Sequence, residues 1–207
     1  MKKINKIIKL LEKEYPDALC SLNYKDTLQL LIATQLSAQC TDARVNMVTP
    51  ELFKKYPDAK AFANAKTEDV EEAIKSTGFY HNKAKNIIAC CKKICEEHNG
   101  KVPDTMEELT ALPGVGRKTA NLVLGDAFGK PAVVVDTHCI RITNLIGLTN
   151  NKEPEKIEKD LREILPPDKS NDFCHRMVLH GRAVCVARRP KCDKCVIKEL
   201  CDYGSKQ

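Results

Sequence analysis

The sequence predicts an all-α protein. Three observations carry this reading. Apolar residues recur at helical spacing along nearly the whole chain, helix start and stop signals bracket most of those stretches, and strand-like runs are almost absent. The exception is AVVVD (132–136), and one strand makes no sheet.

The opening MKKINKIIKLLEKEYPD sets Ile4, Ile7, Ile8, Leu10 and Leu11 at helical spacing. Lys9, Glu12 and Glu14 interrupt any signal-type apolar run. DTLQLLIATQLSA follows, with Asp26 as N-cap. Thr41 and Asp42 open a helix through VNMVTPELFKKY that ends before Pro57, and a short helix lies around Ala59–Ala65. Thr67 caps EDVEEAIKS, whose first-turn acids suit the helix dipole, and Gly78 stands where a C′ glycine belongs. HNKAKNIIACCKKICEEHNG is a long helix stopped at Gly100, and Thr105 with Glu108 gives TMEELTAL a capping box. LPGVG leads into a helix from Arg117 to about Phe128. THCIRITNLIGL, EPEKIEKDLREIL and NDFCHRMVLHGRAVC complete the set. No repeat, low-complexity tract or long linker interrupts it.

The 207 residues suffice for one large domain or two small lobes. The 43% hydrophobic and 30% charged residues are those of a soluble globular protein. A net charge of +6 is compatible with a polyanionic partner without requiring one. No stretch approaches the ~20 apolar residues of a membrane span. The expected location is the cytoplasm.

Eleven cysteines without a secretory signal argue against a disulfide framework. Cys20, Cys40, Cys90, Cys91, Cys95, Cys139 and Cys174 are scattered through helical patterns and read as small apolar residues. Cys185, Cys192, Cys195 and Cys201 differ, because they cluster with gaps of six, two and five residues. Four clustered thiols in a reducing compartment point to metal. The single C-x₂-C knuckle leans away from zinc, whose ribbons usually show two, and does not exclude it. The longest gap carries Arg188, Arg189 and Lys191. These are either phosphate contacts or a solvated counter-charge to the thiolates.

In ALPGVGRKTANLVLGDAFG, Pro113 stops one helix, Gly114 and Gly116 allow a tight turn, and Arg117 and Lys118 open the next. Such a hairpin offers backbone N–H groups and a helix dipole to an anion, although a plain helix–helix turn would look the same. A lysine at a helix start is disfavoured by the dipole, and that field with partial burial would favour the neutral amine. An amine of this kind is either a nucleophile or a phosphate contact. Asp136 ends the apolar run before Thr137 and His138. Either it caps the following helix or it keeps an ionised carboxylate in a reaction site, and one residue can do both.

LPGVGRKTA resembles the helix–hairpin–helix signature of DNA repair glycosylases. The cysteine spacing resembles the cluster loop of the endonuclease III branch, and LSAQCTD, GFYHNKAKNI, VDTH and LHGR look like that branch in the same order, from about residue 20 to Tyr203. The resemblance implies a two-lobed helix–hairpin–helix glycosylase fold. Residues 20–130 would form a helical bundle carrying the hairpin, and residues 1–19 and 131–207 the iron–sulfur lobe. It implies a [4Fe–4S] cluster on Cys185, Cys192, Cys195 and Cys201, which pins the basic loop. It implies a bifunctional glycosylase and AP lyase acting on oxidised pyrimidines in double-stranded DNA, a monomer, associated with the nucleoid when bound. Lys118 would be the nucleophile and Asp136 its charge-stabilising partner, facing each other where DNA enters between the lobes. Gln39 would fill the gap left by the extruded base and Phe79 would wedge beside it. Gly114, Gly116, Arg117, His138, Arg188, Arg189 and Lys191 would contact DNA, with His138 as readily a pocket support. The family commonly has Leu where Phe79 stands and a small apolar residue where Cys40 stands, which puts lesion and opposite-base preference in doubt. The rival readings are a mismatch glycosylase of the same superfamily, removing adenine or thymine, and a non-catalytic metal-stapled DNA-binding protein.

Overall fold

The computed structural model describes residues 2–207. Among them the backbone is helical or irregular, with no β-strand. The helices are α1 (Lys3–Glu14), α2 (Thr27–Leu36), α3 (Asp42–Lys55), α4 (Ala59–Ala63), α5 (Thr67–Ile74), α6 (Tyr80–Glu97), α7 (Met106–Thr110), α8 (Arg117–Asp126), α9 (Thr137–Ile146), α10 (Pro154–Ile164) and α11 (Ser170–Ala183). Short 3₁₀ turns follow at Cys192–Lys194, Lys198–Leu200 and Gly204–Lys206. The chain divides into two compact units. One is Cys20–Lys130, and the other joins the described part of Met1–Leu19 to Pro131–Gln207.

The Cys20–Lys130 unit is built around α2. Every residue from Leu30 to Leu36 is buried, so this helix is apolar on all sides and must lie inside. α3, α6 and α8 pack against it. On α6, Ala84, Ile87, Ile88, Cys90, Cys91 and Ile94 form one buried stripe at the helical period. Cys90 and Cys91 are fully buried there and act as small apolar residues, and burial pushes the Cys90 thiol up to about 11. α4 and α5 cover the outer side of α6. In the other unit, Ile4, Ile7, Ile8 and Leu11 of α1 face α11, which also packs on α9. Among the described residues no helix is long and apolar enough to cross a membrane.

The side-chain caps explain where several helices start. Asp26 accepts from the Gln29 amide at 2.9 Å, Thr41 from Arg44 at 3.3 Å and Asp136 from Cys139 at 2.7 Å. Thr105 caps α7 through the Glu108 amide at 3.3 Å, and its hydroxyl donates to the Glu108 carboxylate at 2.7 Å. Thr67 differs from expectation, because it is the first residue of α5 and the N-cap is Lys66, without a side-chain cap bond. The run at 132–135 is buried but forms no strand, since no neighbouring segment offers it a ladder.

Replacing Ile87 with Ala removes a fully buried side chain from the α6 stripe. The expected loss is about 2–5 kcal/mol of unfolding free energy, read from the shift in denaturant midpoint at unchanged slope.

Candidate active site and metal loop

In the Cys20–Lys130 unit, α7 ends at Thr110, three residues before the Pro113 expected to stop it, and the chain then reverses through Gly114 and Val115 before α8. The Val115 amide closes the turn on the Leu112 carbonyl at 3.1 Å, and the Val115 side chain is buried. Gly114 has φ 73°, and a Cβ there would stand 2.8 Å from Cβ of Asn86 and 3.1 Å from Oε1 of Gln35. Conformation and space both exclude a side chain. Gly116 is different. Its φ is −90°, open to any residue, and nothing lies within 4 Å of where a Cβ would be. It serves as N-cap of α8 without a side-chain cap bond, so the dipole of this helix start faces outward without a capping oxygen from its own N-cap. Arg117 and Lys118 are exposed on this first turn. The partial burial expected at Lys118 is absent from the protein itself.

Gln39 and Phe79 lie on two other turns of this unit. Both are exposed, and both carry positive φ, 52° and 49°. With Gly114, Gln35, Asn82 and Asn86 they border one recess of about 190 Å³. Sequence motifs 35 and more residues apart, at Gln39, Phe79 and Gly114, therefore converge on one place. Lys83 is in the same wall and buried. The motifs do not single out Lys83, although its place four residues before Ile87 puts it on the buried stripe of α6.

In the other unit, the buried run 132–135 delivers Asp136 to the start of α9, half-buried and capping. His138, the second residue of α9, is half-buried and packs where Gly181 of α11 leaves room, since a Cβ on Gly181 would stand 2.3 Å from Nδ1 of His138. This close approach accounts for the glycine of LHGR. Burial holds His138 below the usual imidazole range, with Asp136 opposing and Arg141 and Arg182 adding to the shift. One nitrogen of Arg141 lies 3.2 Å from Nδ1 of His138, and the other donates to the Cys185 carbonyl and lies 3.6 Å from its sulfur. Arg141 thus spans from the Asp136 end of α9 to the cysteine loop. No sequence signal marks it beyond its i+3 spacing from His138.

Cys185, Cys192, Cys195 and Cys201 line one cavity floored by Ile142, Ile146 and Ile197. Their sulfurs are near enough that Cys185 feels Cys192 and Cys201, and Cys195 feels Cys185, Cys192 and Cys201. Around them stand donors. The Gly204 amide points to the Cys201 sulfur at 3.3 Å, Arg141 to Cys185, and Nε2 of His180 lies 3.5 Å from Cys195. His180 is buried and its other nitrogen is 3.0 Å from the Tyr15 hydroxyl. Burial first, then Arg141, lowers its pKa to about 4, so the ring is neutral. Burial pushes the Cys185 and Cys195 thiols up, so stable thiolates here require a bound cation. Arg188 and Arg189 are exposed on the loop. Lys191 is exposed too, and one of its protons goes to the Ala183 carbonyl at 3.1 Å.

A family model for HhH-GPD superfamily base excision DNA repair proteins matches residues 32–167, and one for the iron-sulfur binding domain of endonuclease III matches residues 185–201. Endonuclease III of Synechocystis sp. is 54% identical over 196 residues, covering 94% of this chain and 90% of its own length. That of Escherichia coli K12 is 42% identical over 200 residues, covering 97% and 95%. A solved structure of a trapped endonuclease III–DNA covalent intermediate, an estranged-adenine complex, has a TM-score of 0.93 at 42% identity and covers 100% of this chain and 98% of its own.

The chain belongs to the endonuclease III family. It is a base-excision repair DNA glycosylase with AP lyase activity, and its cofactor is a [4Fe–4S] cluster. Endonuclease III chemistry gives the clustered cysteines a consistent geometry. The four cysteines line one cavity together, and four thiolates are what a [4Fe–4S] cluster takes, one at each iron. The amide and guanidinium donors match the charge that such a cluster leaves on sulfur.

Replacing Cys192 with Ser should abolish the broad visible absorption of the purified protein and lower its iron content well below the ~4 per chain of an intact cluster. The check is anaerobic purification followed by an iron assay and a visible spectrum.

Proposed function

We propose that this enzyme removes oxidised pyrimidines from double-stranded DNA and cleaves the resulting abasic site, acting as a monomer, with Lys118 as the nucleophile and Asp136 as its charge-stabilising partner. One observation carries the reading. An amine stands on the first turn of a helix whose own N-cap, Gly116, brings no capping oxygen. The leading amides and the α8 dipole can hold a DNA phosphate and so fix the sugar beside Lys118.

The reaction then runs in balance. The neutral Lys118 amine bonds to C1′ of the damaged nucleotide, the C1′–N bond breaks, and the base leaves with its electron pair and is protonated. Opening of the C1′–O4′ bond leaves an imine between C1′ and Nζ. Loss of a C2′ proton then expels the 3′ phosphate, and water releases the amine. Asp136 is a carboxylate already tied to the Cys139 amide, and it offers its remaining acceptor capacity to positive charge developing at C1′. His138 supports it from the same turn and Arg141 holds His138 in place.

The base must leave the stack before attack. Gln39 and Phe79 support that step, one with hydrogen-bonding capacity for the orphaned base and the other as an apolar wedge. Cys185, Cys192, Cys195 and Cys201 would hold the [4Fe–4S] cluster, whose contribution is to cross-link the terminal segment. Arg188, Arg189 and Lys191 then meet phosphates from a preorganised loop.

Borohydride reduces an imine to a permanent bond. Wild type should therefore cross-link to a duplex carrying an abasic or oxidised site. Lys118→Gln should bind the same duplex but lose cross-linking and excision. If it still cross-links at the wild-type rate, another amine is the nucleophile. Asp136→Asn keeps a capping side chain, so stability should change by only a few tenths of a kcal/mol while excision slows by roughly 10²-fold or more.

Replacing Arg188 or Arg189 with Gln should weaken binding to all duplex sequences alike. The slope of log affinity against log salt should fall by about 0.9 for each phosphate that the variant no longer neutralises, with the visible spectrum unchanged. Loss of binding that tracks loss of iron would make the residue structural instead.

A further inference from the structure

Among the described residues three non-glycines have positive φ: Gln39, Phe79 and Asn99. Asn99 needs no special account, because it follows α6 in an Asn-Gly pair where a left-handed residue is usual. Gln39 and Phe79 have no such local reason. A bulky aromatic in this region is an outlier, and such conformations persist only when surrounding contacts over-determine them. The same two residues border the recess described above.

Lys83 touches both turns. Its Nζ donates to the Leu36 carbonyl at 2.7 Å and to the Thr77 carbonyl at 2.8 Å. Leu36 ends α2 three residues before Gln39, and Thr77 stands two residues before Phe79. The Lys83 amide also donates to the Phe79 carbonyl at 3.1 Å. The side chain is 6% exposed. A buried ammonium is unfavourable, and a Leu or Met on the α6 stripe would pack there without that penalty. Two carbonyls from separate turns compensate it and give it a task. They are otherwise orphan acceptors at the end of α2 and before α6.

The recess between the two turns is lined with carboxamides, from Gln35, Gln39, Asn82 and Asn86. Each offers a donor and an acceptor, as base edges require. The buried carboxamide of Gln35 has the weakly polar Cys90 thiol as its neighbour.

We propose that Lys83 is a positioning residue, which clamps the Gln39 and Phe79 turns in their left-handed conformations so that the recess between them receives the partner base left unpaired on the opposite strand. This rests on the reading of Gln39 and Phe79 given under Proposed function.

The test is single-turnover excision of one defined oxidised pyrimidine from two duplexes. One has a base opposite the lesion, and the other has a stable abasic analogue there, so that no base is orphaned. Lys83→Met, Lys83→Gln, Gln39→Ala and Phe79→Ala are compared with wild type, each checked for its visible spectrum and helical circular dichroism. Lys83→Met should slow excision opposite a base by about tenfold or more, and much less opposite the abasic analogue. Lys83→Gln, which keeps an uncharged N–H donor group on a shorter stem, should fall between. Lys83→Met and Gln39→Ala should be less than additive, because both disable the same interaction. Equal slowing on both duplexes would make Lys83 merely structural, and no slowing on either would also overturn the proposal. Should Lys83→Met not fold, the same two outcomes read on Lys83→Gln decide. If Gln39→Ala and Phe79→Ala leave both duplexes unaffected, the failure lies in the underlying reading of those two residues rather than in the clamp.

Discussion

An α-helix leaves four N–H groups unsatisfied at its start and four carbonyls at its end, and the residues proposed for this fold's chemistry stand at or beside those ends. A protein without sheets has few other places where backbone polarity is exposed in an ordered way. Gly116, Arg117 and Lys118 stand at the start of α8, and Asp136 at the start of α9. Phe79 is the N-cap residue of α6, and Gln39 follows the last turn of α2. Cys185 follows α11, its amide still bonded to the His180 carbonyl. Some ends are closed from within, as at α2 by Asp26 and at α9 by Asp136. Others are left open, as at α8. A closed end fixes a residue in place, and an open end is available for phosphate. Asp136 does the first, and in the proposed reading its carboxylate also faces the positive charge that develops at C1′.

The terminal segment obeys a different constraint. From Val184 onward, Ile197 is the one buried apolar residue among many charged and polar ones. Three short 3₁₀ turns cannot order such a segment by hydrophobic burial. The four thiolates supply what the core does not, because a cluster bound only by the folded chain contributes its binding free energy to folding. The donors from Arg141 and Gly204 offset the charge that the thiolates bring, and His180 packs beside them. These three residues come from α9, from the terminal turn and from α11, so the loop is tied into its own unit at three points.

Much of this was legible in the sequence because it depends on neighbours in the chain. The caps at Asp26, Thr41, Thr105 and Asp136 follow from one side chain reaching an amide three residues on. Gly114 follows from a turn that admits no Cβ. The cysteine spacing marked a metal loop by itself, but the choice between zinc and a cluster needed the family resemblance. The errors arise where distant partners decide. Thr67 has the residue type of a cap, yet α5 starts on it. The valine run has strand propensity, yet pairing needs a second segment. Gly116 looks equivalent to Gly114, yet its φ is ordinary. Lys83 was hidden because its carbonyl partners lie 47 and 6 residues away, and Arg141 because Cys185 lies 44 residues away. A lysine on an apolar stripe was the available signal, and without coordinates it reads as an edge residue of the helix.

The remaining expectation, burial of Lys118, fails in a way that bears on mechanism. Lys118 is exposed, as are Arg188 and Arg189, and Phe79 keeps 63% of its surface in water. A lone exposed aromatic costs stability in the free protein, because apolar surface is left hydrated. In the proposed reading each of these groups is covered only when DNA arrives. Base stacking then covers Phe79, phosphates meet the two arginines, and the sugar with its neighbours excludes water around Lys118. Water exclusion strengthens every electrostatic term at that point, including the field of the open α8 terminus. The site is therefore completed by its substrate, and binding energy from the duplex backbone is converted into a reactive setting at one sugar. What the protein must preorganise is the backbone beneath these side chains. That is where its buried caps, its glycine at 114 and its clustered thiols lie.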